Sequence, residues 1–129
     1  MAPTFVSGIP IYVQIADDIR AQILRGTLRA GDQLTSTTEY SATYRINPAT
    51  VGKAFAILVD EGLVEKRRGI GMFVAEGARG ALVADGLASY VEETLNPAVE
   101  AGLALGLGLD AIIDHVRAYG ADTTAKDNS

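Results

Sequence analysis

The stretch S-T-T-E-Y-S-A-T-Y-R-I-N-P-A-T-V-G-K-A-F-A-I-L-V-D-E-G, residues 36–62, holds two helix starts and one helix end. Ser36, followed three positions later by Glu39, is a capping box, in which the serine hydroxyl accepts from the Glu39 amide and the carboxylate reaches back. A short helix is predicted from there to about Tyr44. Arg45 and Ile46 make a tight connection, because Asn47-Pro48 reads as a second N-cap followed by proline at the first helical position. Val51, Ala54, Phe55, Leu58 and Val59 then follow the i, i+3, i+4, i+7, i+8 spacing of a core-facing stripe, and Gly62 ends the helix. Two helices joined by so short a turn make a helix-turn-helix.

Working outward, Ile11, Ile15, Ile19 and Ile23 recur every four residues, joined by Ala16 and Leu24, and give a preceding helix with one apolar stripe. Pro10 suits its start and Gly26 its left-handed end. Residues 1–9 show no periodicity and read as a loose arm, and the first four lack the charged and apolar regions of a signal peptide. After Gly31-Asp32, a turn signal, comes a short extended piece. On the other side, residues 63–68 and 72–75 read as two short strands, with Gly69-Ile70-Gly71 as the hairpin between them. The order helix, helix, turn, helix, β-hairpin is that of a winged helix.

The composition shifts after Gly77. Leu82, Val83, Leu87, Tyr90, Val91, Leu95 and Val99 give a further helical stripe, and Pro97 predicts a break or kink near Asn96 because proline removes a helix hydrogen bond and clashes with the turn before it. The Gly/Leu-rich residues 102–108 turn the chain. Leu109, Ile112, Ile113 and Val116 form one face of a last helix expected to end at Gly120, and residues 121–129 read as a disordered tail. Apolar stripes outside so small a domain need a partner. Leu87, Tyr90, Val91, Ile112, Ile113 and Val116 are therefore the expected interface of a homodimer.

Charge is divided along the chain. Residues 1–77 carry eight Lys/Arg and eight Asp/Glu, whereas residues 78–129 carry three and eight and so supply the whole net charge of −5. A polyanionic partner would meet the first part. With 129 residues, 48% of them hydrophobic, the chain has room for one compact domain and an accessory segment. No apolar run approaches the roughly 20 residues of a membrane span. The absence of cysteine excludes disulfides and thiolate chemistry, and is compatible with a cytoplasmic location. His115 stands alone, without a second histidine or a cysteine to help hold a metal, and the carboxylates form no arrangement like an active site. No enzyme activity, cofactor or metal is expected.

In this order and spacing the sequence resembles the GntR family of bacterial regulators, and within it the small YtrA-like branch. The markers are P-I-Y-V-Q-I (10–15), R-G-T-L-R-A-G-D-Q-L (25–34), S-x-x-E (36–39), I-N-P-A-T-V (46–51), D-E-G-L-V-E (60–65), R-R-G-I-G-M-F-V-A (67–75) and A-x-x-L-G-L-G (102–108). The resemblance implies a winged helix-turn-helix followed by a helical pair for dimerisation, without a larger effector-binding domain, and genes of ABC transporters as frequent targets. This chain departs from the family where Thr35 replaces a usual proline, where Thr38 replaces an arginine that touches DNA, and near Gly52, where a basic or amide side chain is usual.

The residues themselves support the same reading. With Val51 and Phe55 turned inward, the third helix presents Ala49, Thr50, Gly52, Lys53 and Ala56, small enough for the backbone to approach a duplex. Thr50 suits a phosphate, a base or a thymine methyl, and Lys53 a guanine or a phosphate. Asn47 caps the helix that would enter the groove. Ser36, Thr38 and Arg45 lie at the two ends of the second helix, and Arg67, Arg68 and Gly69 at the base of the wing, where a guanidinium beside glycine suits a backbone or minor-groove contact. Each feature also has an ordinary structural explanation as a cap, a strand end or a solvated face. The expectation is a mainly α protein: a winged helix-turn-helix (10–76) and a C-terminal two-helix dimerisation segment (78–120). It would bind an operator in double-stranded DNA, with repression the expected outcome; the runner-up is a protein-interaction module built on the same fold, with weak or no DNA binding. The sequence names no effector.

Overall fold

The computed structural model describes residues 5–127, with side-chain surroundings for 5–124. Helix α1 (Ile11–Arg25) begins after Pro10 and ends on Gly26, whose φ of 83° lets its amide reach the Ile23 carbonyl at 3.1 Å. Helix α2 (Thr37–Tyr44) starts on Ser36, whose hydroxyl accepts from the Glu39 amide at 3.1 Å. Helix α3 (Pro48–Asp60) starts on Asn47, whose Oδ1 accepts from the Ala49 amide at 2.8 Å. Strands β1 (Val64–Arg67) and β2 (Gly71–Val74) pair antiparallel, with Val64 opposite Val74 and Arg67 opposite Gly71. The extended piece before α2 joins them, since Leu34 donates to the Met72 carbonyl and the Val74 amide to that of Asp32. All these elements match the sequence reading to within a residue or two.

The described residues divide into two compact units, with the boundary between Asp85 and Gly86, inside helix α4 (Ala78–Tyr90). In the first unit the isoleucine stripe of α1 packs on that of α3: Ile15, Ile23, Val51, Phe55 and Leu58 are the largest fully buried side chains. Leu34, Tyr40, Leu63, Val64 and Val74 complete the core. Burying each large apolar side chain contributes about 1.5–3 kcal/mol, which makes this cluster the main stabilising element. The first turns of α4 belong to the same unit, because Ala78 is buried, Leu82 packs on the core, and Arg79 donates to the Leu24 carbonyl at 3.0 Å.

Residues 5–9 are not the loose arm expected. The Gln14 side chain accepts from the Val6 amide at 2.7 Å and donates to the Val6 and Ile9 carbonyls at 2.9 and 2.8 Å, so one amide group satisfies the backbone as a neighbouring strand would. Phe5 packs on the core behind it. Residues 1–4 of the expected arm lie outside the described residues.

Tyr40 stacks against Tyr44 and edge-on to Phe55, yet its hydroxyl is buried without a hydrogen-bond partner among the described residues. Burial, assisted by the nearby Asp18 and Tyr44, pushes its pKa up to about 12. An orphaned hydroxyl costs about 1–3 kcal/mol. Tyr40→Phe is therefore expected to raise stability in urea unfolding. It should also flatten the loss of stability between pH 10 and 12, where the unfolded phenol ionises and the folded one does not. A less stable Tyr40→Phe protein would show that the hydroxyl has a partner.

In the second unit, the irregularity expected near Asn96 takes the form of a π-helical stretch, Val91–Leu95, in which the Asn96 amide reaches back to Val91. The widened turn accommodates a proline that has no amide to donate and whose ring crowds the preceding turn. Helix α5 (Asn96–Ala104) then carries Pro97 in its first turn and ends before Gly106, at φ 93°. Helix α6 (Leu109–Asp127) does not stop at Gly120 but continues through it, so 121–127 are helical where a tail was expected. Glycine inside a helix costs about 1 kcal/mol rather than ending it. Residues 128–129 lie outside the described residues. Among the described residues no helix is long and apolar enough to cross a membrane.

Candidate nucleic-acid interface

The connection between α2 and α3 takes an unusual conformation. Arg45 adopts left-handed backbone angles, φ 55° and ψ 47°, which a side chain other than glycine adopts only at a cost. The turn is held because the Ile46 amide donates to the Ser41 carbonyl at 3.0 Å and the Ser41 hydroxyl donates to the Ile46 carbonyl. This leaves the Arg45 side chain exposed beside the start of α3.

On α3, Asn47, Ala49, Lys53 and Ala56 are exposed, while Thr50 and Gly52 are half-buried. The cap is therefore made by Asn47 itself, and the small residues that follow leave the helix start open. Lys53 does not extend freely. Its Nζ lies 4.1 Å from the centroid of the Tyr12 ring on α1.

The wing is shaped by two glycines and one glutamine. Gly69 (φ 76°) allows the Ile70 amide to close onto the Arg67 carbonyl at 3.0 Å. Gly71 has φ 145°, and a Cβ there would sit 2.6 Å from Gln33 Nε2, which donates to the Ile70 carbonyl at 3.1 Å. Any side chain at 71 would thus disturb both the backbone and the brace. The strand register places Arg67 on the same side as Phe73, and its guanidinium lies 4.1 Å above that ring. An open groove of about 330 Å³ separates the wing from the start of α2 and is lined by Ser36, Thr37, Lys66, Arg67, Gly69 and Met72. It brings Ser36, Arg67 and Gly69 together. Thr38 and Arg68 are exposed and do not line it.

Sequence reading missed the three residues that support this surface. Tyr12 precedes the Ile15–Ile19–Ile23 stripe at helical spacing, which marked it as a packing residue without indicating which side chain it would meet. Phe73 reads as ordinary strand core, and Gln33 carries no signal until the wing is seen opposite it. His115 is exposed, and no group of acidic or histidine side chains among the described residues could hold a metal.

Three helices, a short left-handed turn and a braced hairpin with an exposed helix start define a winged helix-turn-helix. The family model for bacterial regulatory proteins of the gntR family matches residues 11–74. The transcriptional repressor YtrA of Bacillus subtilis is 32% identical over 116 residues, which cover 90% of this chain and 88% of that protein. Among solved structures, a GntR family transcriptional regulator from Listeria monocytogenes is similar with a TM-score of 0.69 and 30% identity, covering 88% of this chain and 97% of that one. The AraR DBD in complex with operator ORX1 is similar at a TM-score of 0.51 and 27% identity, over 58% of this chain and 90% of that one. The chain belongs to the gntR family of bacterial regulatory proteins.

Proposed function

We propose that the protein is a cytoplasmic DNA-binding transcriptional repressor that works as a homodimer. The observation that carries this reading is the open start of α3, capped by Asn47 and followed by Ala49, Thr50 and Lys53, in a unit whose wing bears Arg67, Arg68 and Gly69. A helix N-terminus attracts phosphate oxygens, and small side chains let it approach base edges. The repressor name of the Bacillus relative and the operator-bound AraR DBD support the same assignment. Phosphate contacts by Ser36, Thr38, Arg45, Arg67 and Arg68 and by the Gly69 backbone would set the register, with Asn47, Ala49, Thr50 and Lys53 at the base edges. Transporter genes are the targets we infer from the YtrA resemblance.

DNA binding falls to residues 10–76 and dimerisation to 78–120. The second unit supports the latter assignment: none of residues 86–124 is buried, and ten large hydrophobic side chains there are exposed. They include Leu87, Tyr90, Val91 and Val116. Ile112 and Ile113 are half-buried, and Ile112 packs within the unit against Gly102.

Titration with duplex DNA at two salt concentrations tests the reading, because displaced counterions make affinity fall steeply with salt. Arg67→Ala or Arg68→Ala is expected to weaken all sequences alike and to lower the logarithmic salt slope by about one unit. Thr50→Ala should instead change the preferred base at one half-site position, at a cost of about 1–3 kcal/mol. Salt-independent or absent DNA binding would favour a protein-interaction module.

A further inference from the structure

We propose that Tyr12 is a positioning residue for DNA recognition: its ring holds the Lys53 ammonium in place on the surface of α3. The inference rests on the DNA-binding reading above and adds to it a residue on α1, outside both the helix-turn-helix and the wing. Tyr12 is half-buried and packs against the core, so its ring is a fixed platform rather than a mobile side chain. The Lys53 Nζ stands 4.1 Å from the ring centroid, within the range where the negative face of an aromatic ring attracts a cation. Among the described residues the ion pairs join Arg20 to Asp17 and Glu61, and none engages Lys53. The ring is thus the partner that orients this ammonium, and it does so without neutralising it.

A lysine is a flexible four-carbon stem carrying a point charge, and it loses much rotamer freedom when it binds. An aromatic seat restricts the stem before the partner arrives, while the ammonium, which needs no lone pair for the ring, keeps donors for a phosphate or a guanine edge. The wing repeats the device independently. Arg67 lies 4.1 Å over Phe73, and that ring is itself buried. Two cations assigned to DNA, on different elements, each rest on an aromatic ring anchored in the core. Lysine at 53 and an aromatic ring at 12 should therefore act as one unit.

The experiment is a double-mutant cycle on DNA affinity with the full chain, using Tyr12→Leu, Lys53→Met and the pair, with Tyr12→Phe as the conservative variant. Tyr12→Leu is expected to weaken binding about three- to fivefold, Tyr12→Phe to bind as the parent does, and Tyr12→Leu to have little further effect once Lys53 is methionine. A second readout needs no DNA. The Lys53 ε-methylene protons should show an upfield ring-current shift in the NMR spectrum of the free parent and of Tyr12→Phe. Independent, multiplying effects of the two substitutions overturn the proposal, and so does the absence of that shift, even if Tyr12→Leu folds poorly. Loss of the DNA-binding reading is distinguishable: the parent itself would then fail to bind duplex DNA in a salt-dependent way, with the ring-current shift still present.

Discussion

Val116→Asp is expected to yield a folded monomer that binds a full operator on the order of 10²–10⁴-fold more weakly than the parent. Val116 is 63% exposed in the single chain, so a charge there costs little until a second copy covers it. It lies beside a cleft of about 620 Å³ lined by Tyr90, Gly102, Leu107, Ile112 and Tyr119, an apolar concavity on a surface where Leu87 and Val91 are also exposed. In the proposed dimer, two winged domains held together would present the second recognition helix at high effective concentration, and severing them would remove that gain without touching a proposed DNA contact. Ile112 is a poorer probe, because its side chain approaches Gly102 in the same unit and a charge there would disturb folding as well as assembly. Sedimentation gives the oligomeric state, and titration with half-site and full-site duplexes gives the affinity. The half-site should be bound nearly as well as by the parent. A monomeric Val116→Asp protein that held the full site as tightly as the parent would refute the role of this surface.

The legibility of the sequence varied with the range of the forces involved. Capping is local, and Ser36 and Asn47 announced the starts of α2 and α3 through side-chain bonds that span only two or three residues. The core stripes were equally clear, since Ile15, Ile19 and Ile23 meet Val51, Phe55 and Leu58 as their periodicity requires. What escaped were contacts between residues far apart in sequence. The brace from Gln33 to Ile70 and the ring of Tyr12 beneath Lys53 each depend on a fold already formed, while the pinning of Val6 and Ile9 by the nearby Gln14 follows no periodicity that would mark it. The penalties of Pro97 and Gly120 are local as well. Pro97 marks an irregularity that takes the form of a π turn just before it, whereas at Gly120 continued helix on both sides outweighs the penalty and the expected end does not occur. Of the proposed DNA contacts, the sequence indicated the residues and their elements, while the seating of Lys53 and Arg67 on aromatic rings required the assembled surface.

Phe55→Ala should lower stability by about 3–5 kcal/mol, a large fraction of the 5–15 kcal/mol typical of a folded domain. Phe55 is 1% exposed and faces away from the side of α3 that carries Lys53. Its ring meets Tyr40 edge-on at 6.2 Å, so it ties α3 to α2 as well as to the isoleucines of α1. It also lines a small open cleft of about 90 Å³ with Ile19, Leu34, Tyr40 and the polar Gln22 and Gln33. Removing the ring leaves a space that the surrounding side chains can fill only in part, and the cost grows with the volume left over. Urea unfolding should show a lower midpoint with an unchanged slope, because the surface exposed on unfolding is nearly the same. The side chains proposed to face DNA remain, so saturating duplex should restore part of the lost midpoint by binding the folded state alone. A midpoint within experimental error of the parent would mean that Phe55 does not anchor the recognition helix. A lowered midpoint that duplex cannot raise would mean that losing the anchor also misplaces the helix start, and with it Thr50 and Lys53.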